Sequence, residues 1–162
     1  MQKVATHLWF DNQAEEAAKL YTSIFRNSKI NRVSRYTEAA ADMTGARAGS
    51  VMTVEFEIDG QTFYALNGGP SFKFSEAISL FVHCEDQREI DEYWTKLLAG
   101  GGKPAQCGWL KDRFGLSWQI VPKQLIAWMA DNDTQRTERV MKAILRMVKM
   151  DVAALQRAYD GV

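Results

Sequence analysis

The sequence predicts an α+β fold, with two tandem β-α-β-β-β modules followed by a C-terminal helical tail. In each half, an amphipathic helix is followed by short segments of alternating apolar residues, the pattern typical of strands. The strand, acidic turn and helix that open the chain recur 74 residues later, where Asp11 aligns with Glu85. Beyond Pro122 the pattern turns helical and has no counterpart in the first half.

Length and composition fit one domain, residues 1–162. With 46% hydrophobic residues the chain can bury a core without disulfides or a structural metal. The two halves are predicted at about 3–68 and 77–121, and the tail at 123–162.

Charge and hydropathy exclude several classes of partner. Lys plus Arg and Asp plus Glu are equal at 20 each, so no basic field favours nucleic acid or an anionic membrane. No apolar run reaches the roughly 20 residues of a spanning helix, and charges within the first twenty residues do not fit a signal peptide. We therefore expect a cytoplasmic protein whose two cysteines, Cys84 and Cys107, are reduced thiols.

In the first half, residues 3–10 are predicted as a strand and residues 12–25 as a helix with Asn12 as its N-cap and Glu15 as the capping-box partner. A strand over 30–37 follows. The stretch 38–49 has no strong period and is predicted as a loop. Residues 50–67 alternate strictly, and Asp59-Gly60 predicts a tight hairpin turn between two strands.

The second half repeats this order after the Gly-Gly-Pro break at 68–70, with late strands near 103–106, 108–113 and 117–121. The tail contains a predicted helix over 137–150 whose apolar stripe comprises Val140, Met141, Ile144, Leu145 and Val148. This stripe either covers the sheet of its own chain or crosses to a second subunit.

Three sequence stretches resemble the PhnB-like family, often labelled 3-demethylubiquinone-9 3-methyltransferase, of the vicinal-oxygen-chelate (glyoxalase/bleomycin-resistance/dioxygenase) superfamily. They are HLWFD at 7–11 with AEEA at 14–17 and Tyr21, ALNGG at 65–69, and above all CGWLKDRFGLSWQIVP at 107–122. The resemblance covers about residues 3–130. It implies a curved, incompletely closed sheet around a cavity that binds a small organic molecule, and a homodimer.

Metal-dependent members of that superfamily bind a divalent ion through His and Glu side chains on two strands of each half. Strand alternation makes Leu8 and Phe10 face the helix, and likewise Ile78, Leu80, Val82 and Cys84. At the expected ligand positions stand Ala5, Ser79, Gln119 and either Ala65 or Asn67. Because these are poor ligands, we predict no metal and no cofactor, with a divalent ion as the minor alternative.

His7 and His83 are the candidate catalytic residues, because alternation directs both to the cavity side. They could form an acid/base couple or a displaced metal site, or they could be hydrogen-bonded residues of half-buried strands. The predicted ligand cavity is lined by His7, Trp9, Asn67, Ser79, Phe81, His83, Trp109 and Gln119.

Other chemistry has less support. The only dense glycine cluster, Gly100–Gly102, closes a helix, which is the wrong order for an S-adenosylmethionine site. We therefore predict a small-molecule-binding protein without an established reaction. The alternatives are a metal-assisted lyase or dioxygenase-like enzyme, the methyl transfer of the family label, and a resistance protein that sequesters a drug.

Overall fold

The computed structural model describes residues 2–162 and divides into two compact units, Met1–Phe74 and Ser75–Val162. The helical tail belongs to the second unit.

The first unit is a four-stranded mixed sheet with two helices. Its strand order is β1-β4-β3-β2; β1 runs parallel to β4, and the other pairs are antiparallel. The apolar face of α1 buries Ala17, Tyr21 and Ile24. Its elements are β1 (Thr6–Phe10), α1 (Ala14–Ile24), β2 (Lys29–Arg35), α2 (Glu38–Thr44), β3 (Val51–Ile58) and β4 (Gln61–Asn67).

The second unit repeats this topology and adds the tail. Its strand order, β5-β8-β7-β6, is that of the first sheet, with β5 parallel to β8. The predicted α+β fold of two duplicated modules with a helical tail is therefore confirmed. Its elements are β5 (Ser79–Cys84), α3 (Gln87–Leu98), β6 (Lys103–Pro104), β7 (Trp109–Lys111), β8 (Ser117–Pro122), α4 (Gln124–Met129), α5 (Thr134–Ile144) and α6 (Val152–Asp160).

The hairpin between β3 and β4 forms as predicted. Asp59 and Gly60 both have positive φ, at 47° and 75°. Two consecutive left-handed residues give the turn twist that matches antiparallel strands, and Asp-Gly is a favoured pair for it. Val54, Phe56 and Ile58 are buried, which confirms the predicted inward face of β3.

The prediction of a loop over 38–49 is wrong for its first part, because α2 occupies Glu38–Thr44. The Thr37 side chain caps this helix by accepting a hydrogen bond from the Ala40 backbone N–H at 3.2 Å. Gly45 ends it in the left-handed conformation, with φ at 75°. Three consecutive alanines favour the helix intrinsically, although they give it no apolar period.

The predicted N-cap of α1 is also wrong. Gln13, not Asn12, occupies the N-cap position, and its side chain makes no capping hydrogen bond. The cap comes instead from the neighbouring strand β4, where Asn67 is the register partner of Phe10 and its Oδ1 accepts from the Ala14 backbone N–H at 2.8 Å. A long-range side chain thus replaces the local one that sequence rules expect.

The predicted helix over 137–150 ends early, at Ile144. Beyond it, the carbonyls of Met147 and Val148 accept hydrogen bonds at 2.8 Å from the N–H groups of Cys107 and Gly108. The predicted stripe is consequently split. Val140 and Ile144 are buried, whereas Met141, Leu145 and Val148 are exposed.

The tail packs onto its own unit, which favours the first of the two alternatives stated for it. The Gln87 carboxamide on α3 donates to the Met150 carbonyl at 3.1 Å and accepts from the Val152 N–H at 2.8 Å. Met150 and Leu155 are at most 1% exposed. The buried side chains of the tail therefore contribute to the core of the second unit.

The predicted strand faces hold with one exception. Leu8, Phe10 and Cys84 are buried as expected, but Ile78 is 71% exposed. Ile78 precedes the first residue of β5, so strand alternation does not apply to it. Within residues 2–162, no helix has the length and apolar character needed to cross a membrane.

Candidate ligand site

A cavity of about 770 Å³ opens in the first unit. It lies where β1 and β4 end, against the start of α1, the helix α2 and the turn that leads into β3. Its apolar lining includes Trp9, Ala40, Val51, Met52 and Leu66. The volume lies within the range of about 300–1,000 Å³ that is usual for small-molecule sites.

The Trp9 indole forms one wall of this cavity. Its Nε1–H donates to the Gly69 carbonyl at 2.9 Å. The ring lies so close to Gly68 that a Cβ there would stand 2.3 Å from it. Phe72 meets the ring edge-on, with ring centroids 4.9 Å apart. Gly68 is therefore needed to seat this tryptophan, whereas Gly69 has open space beside it and adopts a left-handed conformation with φ at 87°.

Asn67 connects four segments around the cavity. Besides capping α1 at Ala14, its Nδ2 donates to the Val51 carbonyl at 3.1 Å. Its own carbonyl accepts from the Tyr36 hydroxyl at 2.6 Å. The carboxamide thus has a protein partner at each end, and these two hydrogen bonds position the cavity wall.

Charged side chains stand at the cavity. Asp11 and Arg47 are exposed, and neither side chain has a hydrogen bond or ion pair within residues 2–162. Glu15 is bound by Lys19 at 2.7 Å, and this hydrogen bond is the main reason that its pKa is lowered, so it is a carboxylate at neutral pH. The cavity therefore combines an apolar wall with one free group of each charge sign.

The structure brings two of the sequence-predicted cavity residues, Trp9 and Asn67, into this site. His7 does not line it. The His7 side chain is exposed and stacks beside Tyr64, with ring centroids 6.1 Å apart. Ser79, Phe81, His83, Trp109 and Gln119 all lie in the second unit.

Within the second unit, those residues are neighbours on one sheet. Gln119 Nε2 donates to Ser79 Oγ at 2.8 Å. Trp109 is the direct cross-strand partner of Gln119, and Phe81 lies beside Gln119 on the parallel strand β5. His83 is exposed, and its ring centroid is 4.9 Å from that of Phe81. These groups share a surface, as their strand positions predict.

The register of the two sheets identifies the first-half counterpart of Gln119. His7 pairs with Tyr64 across β1 and β4, as Phe81 pairs with Gln119 across β5 and β8. The counterpart is therefore Tyr64, and the prediction of Ala65 or Asn67 is wrong. Ala65 is fully buried on the opposite face.

These positions do not fit a divalent metal. Ser79 and Gln119 are neutral and bonded to each other, and Tyr64 and Ala5 supply neither carboxylate nor imidazole. Among residues 2–162 no group of three or more His, Cys, Asp or Glu side chains is arranged to hold a metal ion.

The glycine-rich turns do not fit an S-adenosylmethionine site either. Gly100 and Gly101, with φ of 80° and 118°, follow the helix α3 and lead into the strand β6. A glycine-rich turn that binds a nucleotide-type cofactor has the opposite order, because it follows a strand and precedes a helix. The turn at Gly68-Gly69 is filled by the Trp9 ring and followed by Pro70.

Cys84 is not set up as a nucleophile. Cys84 is fully buried, and burial raises the pKa of its thiol to about 12, with smaller contributions from the nearby carboxylates of Glu89 and Asp86. A thiol of this kind stays protonated and unreactive at neutral pH. Cys107 is half-buried, and both cysteines are free thiols.

Sequence reasoning missed the contribution of residues 36–50, which supply Tyr36, Ala40, Arg47 and Ser50 to the cavity. Residues 38–49 have no apolar period and are therefore predicted as a loop, and the flanking residues Tyr36 and Ser50 fall in predicted strands. The available signal was the Thr37 cap followed by alanines and ended by Gly45.

Comparisons with known proteins agree with the fold. The model of the family described as 3-demethylubiquinone-9 3-methyltransferase matches residues 2–121. A PhnB protein from Bacillus cereus, described as a 3-demethylubiquinone-9 3-methyltransferase, is 35% identical. The match covers 75% of this chain and 99% of that one, with a TM-score of 0.67.

Two further solved structures are similar. A protein from Staphylococcus aureus is 31% identical over 76% of this chain and 97% of its own, with a TM-score of 0.34. Protein PA1353 from Pseudomonas aeruginosa is 16% identical over 73% of this chain and 95% of its own, and its TM-score of 0.59 indicates a shared fold. No curated protein sequence matches the chain significantly.

Proposed function

This chain belongs to the 3-demethylubiquinone-9 3-methyltransferase family, the PhnB-like family of the vicinal-oxygen-chelate superfamily, and we propose that it binds a small organic molecule in the first-unit cavity. The single observation that carries the proposal is the cavity itself, with its volume of about 770 Å³ and its aromatic and aliphatic wall. A concave, mainly apolar site with a few polar groups is the usual form of a small-molecule site.

The hydrogen bonds of the wall support an apolar ligand body. The Trp9 indole N–H, the Tyr36 hydroxyl and the Asn67 carboxamide are all bonded to protein groups. A ligand that lies against them gains by removing apolar surface from water, at about 25 cal/mol per Å². Its polar atoms would then meet the free charges of Asp11 and Arg47.

Binding without turnover is the function that these residues favour. The metal positions hold neutral groups and the glycine turns do not suit a nucleotide-type cofactor. His7 and His83 remain candidate acid/base residues, although neither lines the first-unit cavity; each lies beside an aromatic ring in its own sheet. No reaction is assigned to them.

We propose a homodimer in the cytoplasm as the working form. The exposed apolar side chains of Met141, Leu145 and Val148 support self-association, since removing exposed apolar surface from water is favourable. The two free thiols support a reducing compartment. The balanced charge of 20 basic and 20 acidic residues supports a partner other than nucleic acid. Light scattering across a range of protein concentrations tests the dimer, and a concentration-independent monomer mass would reject it.

The ligand proposal is tested with the fluorescent apolar probe 1-anilinonaphthalene-8-sulfonate and a matched pair of variants. Ala40 lies in α2 and lines the cavity, so Ala40→Phe fills it. Ala39, its exposed neighbour in the same helix, does not line the cavity, so Ala39→Phe is the control. We expect saturable probe binding to the wild type and to Ala39→Phe, and at least about tenfold weaker binding to Ala40→Phe. Equal binding by all three proteins would contradict the proposal.

A further inference from the structure

Four hydrogen-bond donors form one row across the second sheet. Lys103 on β6 is directly opposite Lys111 on β7, and Lys111 is directly opposite Ser117 on β8. Ser117 in turn lies beside Ser79 on β5. Residues paired in this way project from the same face of a sheet. At about 4.8 Å between neighbouring strands, the row is about 14 Å long.

Ser117 is the buried member of this donor row. It is 1% exposed, and its hydroxyl oxygen has no hydrogen-bond partner within the described residues. A buried hydroxyl without a partner is unfavourable, so natural proteins keep few of them. Because this hydroxyl is shielded from solvent, a ligand oxygen reaches it only when neighbouring side chains move aside, and it would then supply the missing hydrogen bond.

Ser79 can also donate. Its Oγ accepts from Gln119 Nε2 at 2.8 Å, which uses a lone pair of the oxygen and leaves the hydroxyl proton for another acceptor. Gln119 therefore orients Ser79 as a donor.

The two lysines add positive charge to the row. Like charges directly opposite each other on a sheet repel. An ion pair between Lys111 Nζ and Glu76 Oε1, at 2.5 Å, offsets part of this repulsion, but the Glu76 side chain is 64% exposed. The ammonium of Lys111 also lowers the pKa of Glu76, mainly through this hydrogen bond. Such an exposed ion pair is weak and exchangeable, so a second anion could replace Glu76.

We propose that the donor row Lys103, Lys111, Ser117 and Ser79 binds an oxyanion, the carboxylate or phosphate group of a small ligand, without a metal ion. Every member offers N–H or O–H groups, and the row has a net positive charge before Glu76 is counted. Charge-assisted hydrogen bonds of this type are the strong ones in proteins. The site belongs to the second unit, and it stands whether or not the first-unit cavity binds the apolar probe.

The test uses the full-length protein labelled with ¹⁵N and titrated with sodium phosphate or, in a separate arm, with sodium acetate. Sodium chloride holds the ionic strength constant. We expect saturable shifts of the backbone amides of Lys111, Ser117 and Ser79 in at least one arm. Saturation by phosphate at the lower concentration indicates a phosphoryl ligand, and saturation by acetate at the lower concentration indicates a carboxylate.

Variants separate the donor row from general surface charge. Lys111→Met should weaken the affinity for the anion that gives saturation by about tenfold or more, because it removes the central ammonium. The matched control is Lys96→Met, since Lys96 is bound by Glu92 at 2.6 Å on α3, away from the row. Its binding should equal that of the wild type.

Ser117→Ala distinguishes a ligand donor from a purely structural residue. We expect weaker anion binding by about threefold or more, together with unchanged or higher thermal stability, because the unpaired buried hydroxyl is lost. If Lys111→Met fails to fold, Lys103→Met tests the same donor row, because Lys103 is exposed and its substitution should not disturb the core. Shifts that do not saturate in either arm, or equal losses in Lys111→Met and Lys96→Met, would overturn the proposal.

Discussion

Asn67 Oδ1 accepts a hydrogen bond from the Ala14 backbone N–H at 2.8 Å, so the last residue of β4 caps the helix α1. The same side chain holds Val51 at the start of β3. Three elements that surround the ligand cavity are therefore fixed by one carboxamide. Its removal should affect both folding stability and the shape of the site.

Asn67→Ala is expected to lower the free energy of unfolding by about 1–3 kcal/mol, because a helix cap and a second hydrogen bond are lost. Urea denaturation measures the change. Asn31→Ala is the control, since Asn31 bonds only the exposed edge at Glu57, and a change within about 0.5 kcal/mol is expected there. Equal effects of the two substitutions would contradict the capping role.

Asp112 should be the most sensitive residue of the turn between β7 and β8. It is 3% exposed, and its carboxylate accepts from the Phe114 N–H at 2.9 Å, the Leu116 N–H at 3.1 Å and the Trp118 indole N–H at 2.9 Å. Asp112→Ala leaves three donors without their acceptor and should cost about 3 kcal/mol or more. Thermal or urea unfolding measures it.

The matched control for this substitution is Asp42→Ala, at an exposed carboxylate on α2. It should change stability by no more than about 0.5 kcal/mol. An Asp112→Ala protein as stable as the control would show that the turn does not depend on this carboxylate.

Stability should fall at alkaline pH, partly through Cys84. Burial raises the pKa of its thiol to about 12, whereas the unfolded thiol loses its proton at about 8.5–9. Above pH 9 the unfolded state binds fewer protons than the folded state, so rising pH favours unfolding, and this contribution is fully present only below the unfolded pKa. By pH 10 the loss from this one group should reach about 1–2 kcal/mol.

Urea unfolding at pH 7.5 and pH 10 measures that loss. Cys84→Ala should show a smaller difference between the two pH values than the wild type, and Cys107→Ala should keep the wild-type difference because the buried thiol remains. Identical pH differences in the wild type and in Cys84→Ala would rule out the assignment.

The affinity for divalent metal ions should be weak, and it should rise when Ser79 and Gln119 are replaced by metal-binding residues. We expect no saturable heat when the wild type is titrated with Zn²⁺ or Ni²⁺ at micromolar concentration. Ser79→His/Gln119→Glu places an imidazole and a carboxylate where two neutral side chains now touch, and should bind the ion measurably. Saturable binding by the wild type at Ser79 and Gln119 would refute the metal-free account.

Much of the fold follows from local patterns in the sequence. The alternation from Met52 to Ile58 and the Asp59-Gly60 turn define one hairpin without knowledge of its neighbours. The 74-residue repeat predicts that both sheets share a topology, and they do. These features depend on residues close together in the chain, so the sequence is sufficient for them.

The sequence-based predictions are wrong where contacts between residues far apart in the chain determine the local structure. Asn12 fits the capping rule, but Asn67 takes the role from more than fifty positions away. Helix α5 ends at Ile144 because the chain beyond it is hydrogen-bonded to Cys107 and Gly108. This pairing cannot be predicted from the residues near Ile144 alone. The cavity depends on α2, whose alanines lack the apolar period that normally marks a helix.

Native mass spectrometry of the purified protein, before and after denaturation, tests most directly whether the first-unit cavity binds a small organic molecule. The account predicts a bound small molecule on the wild type and on Ala39→Phe that is released by denaturation, and its loss from Ala40→Phe. The same bound mass on Ala40→Phe would contradict it, because that ligand would then lie outside the cavity.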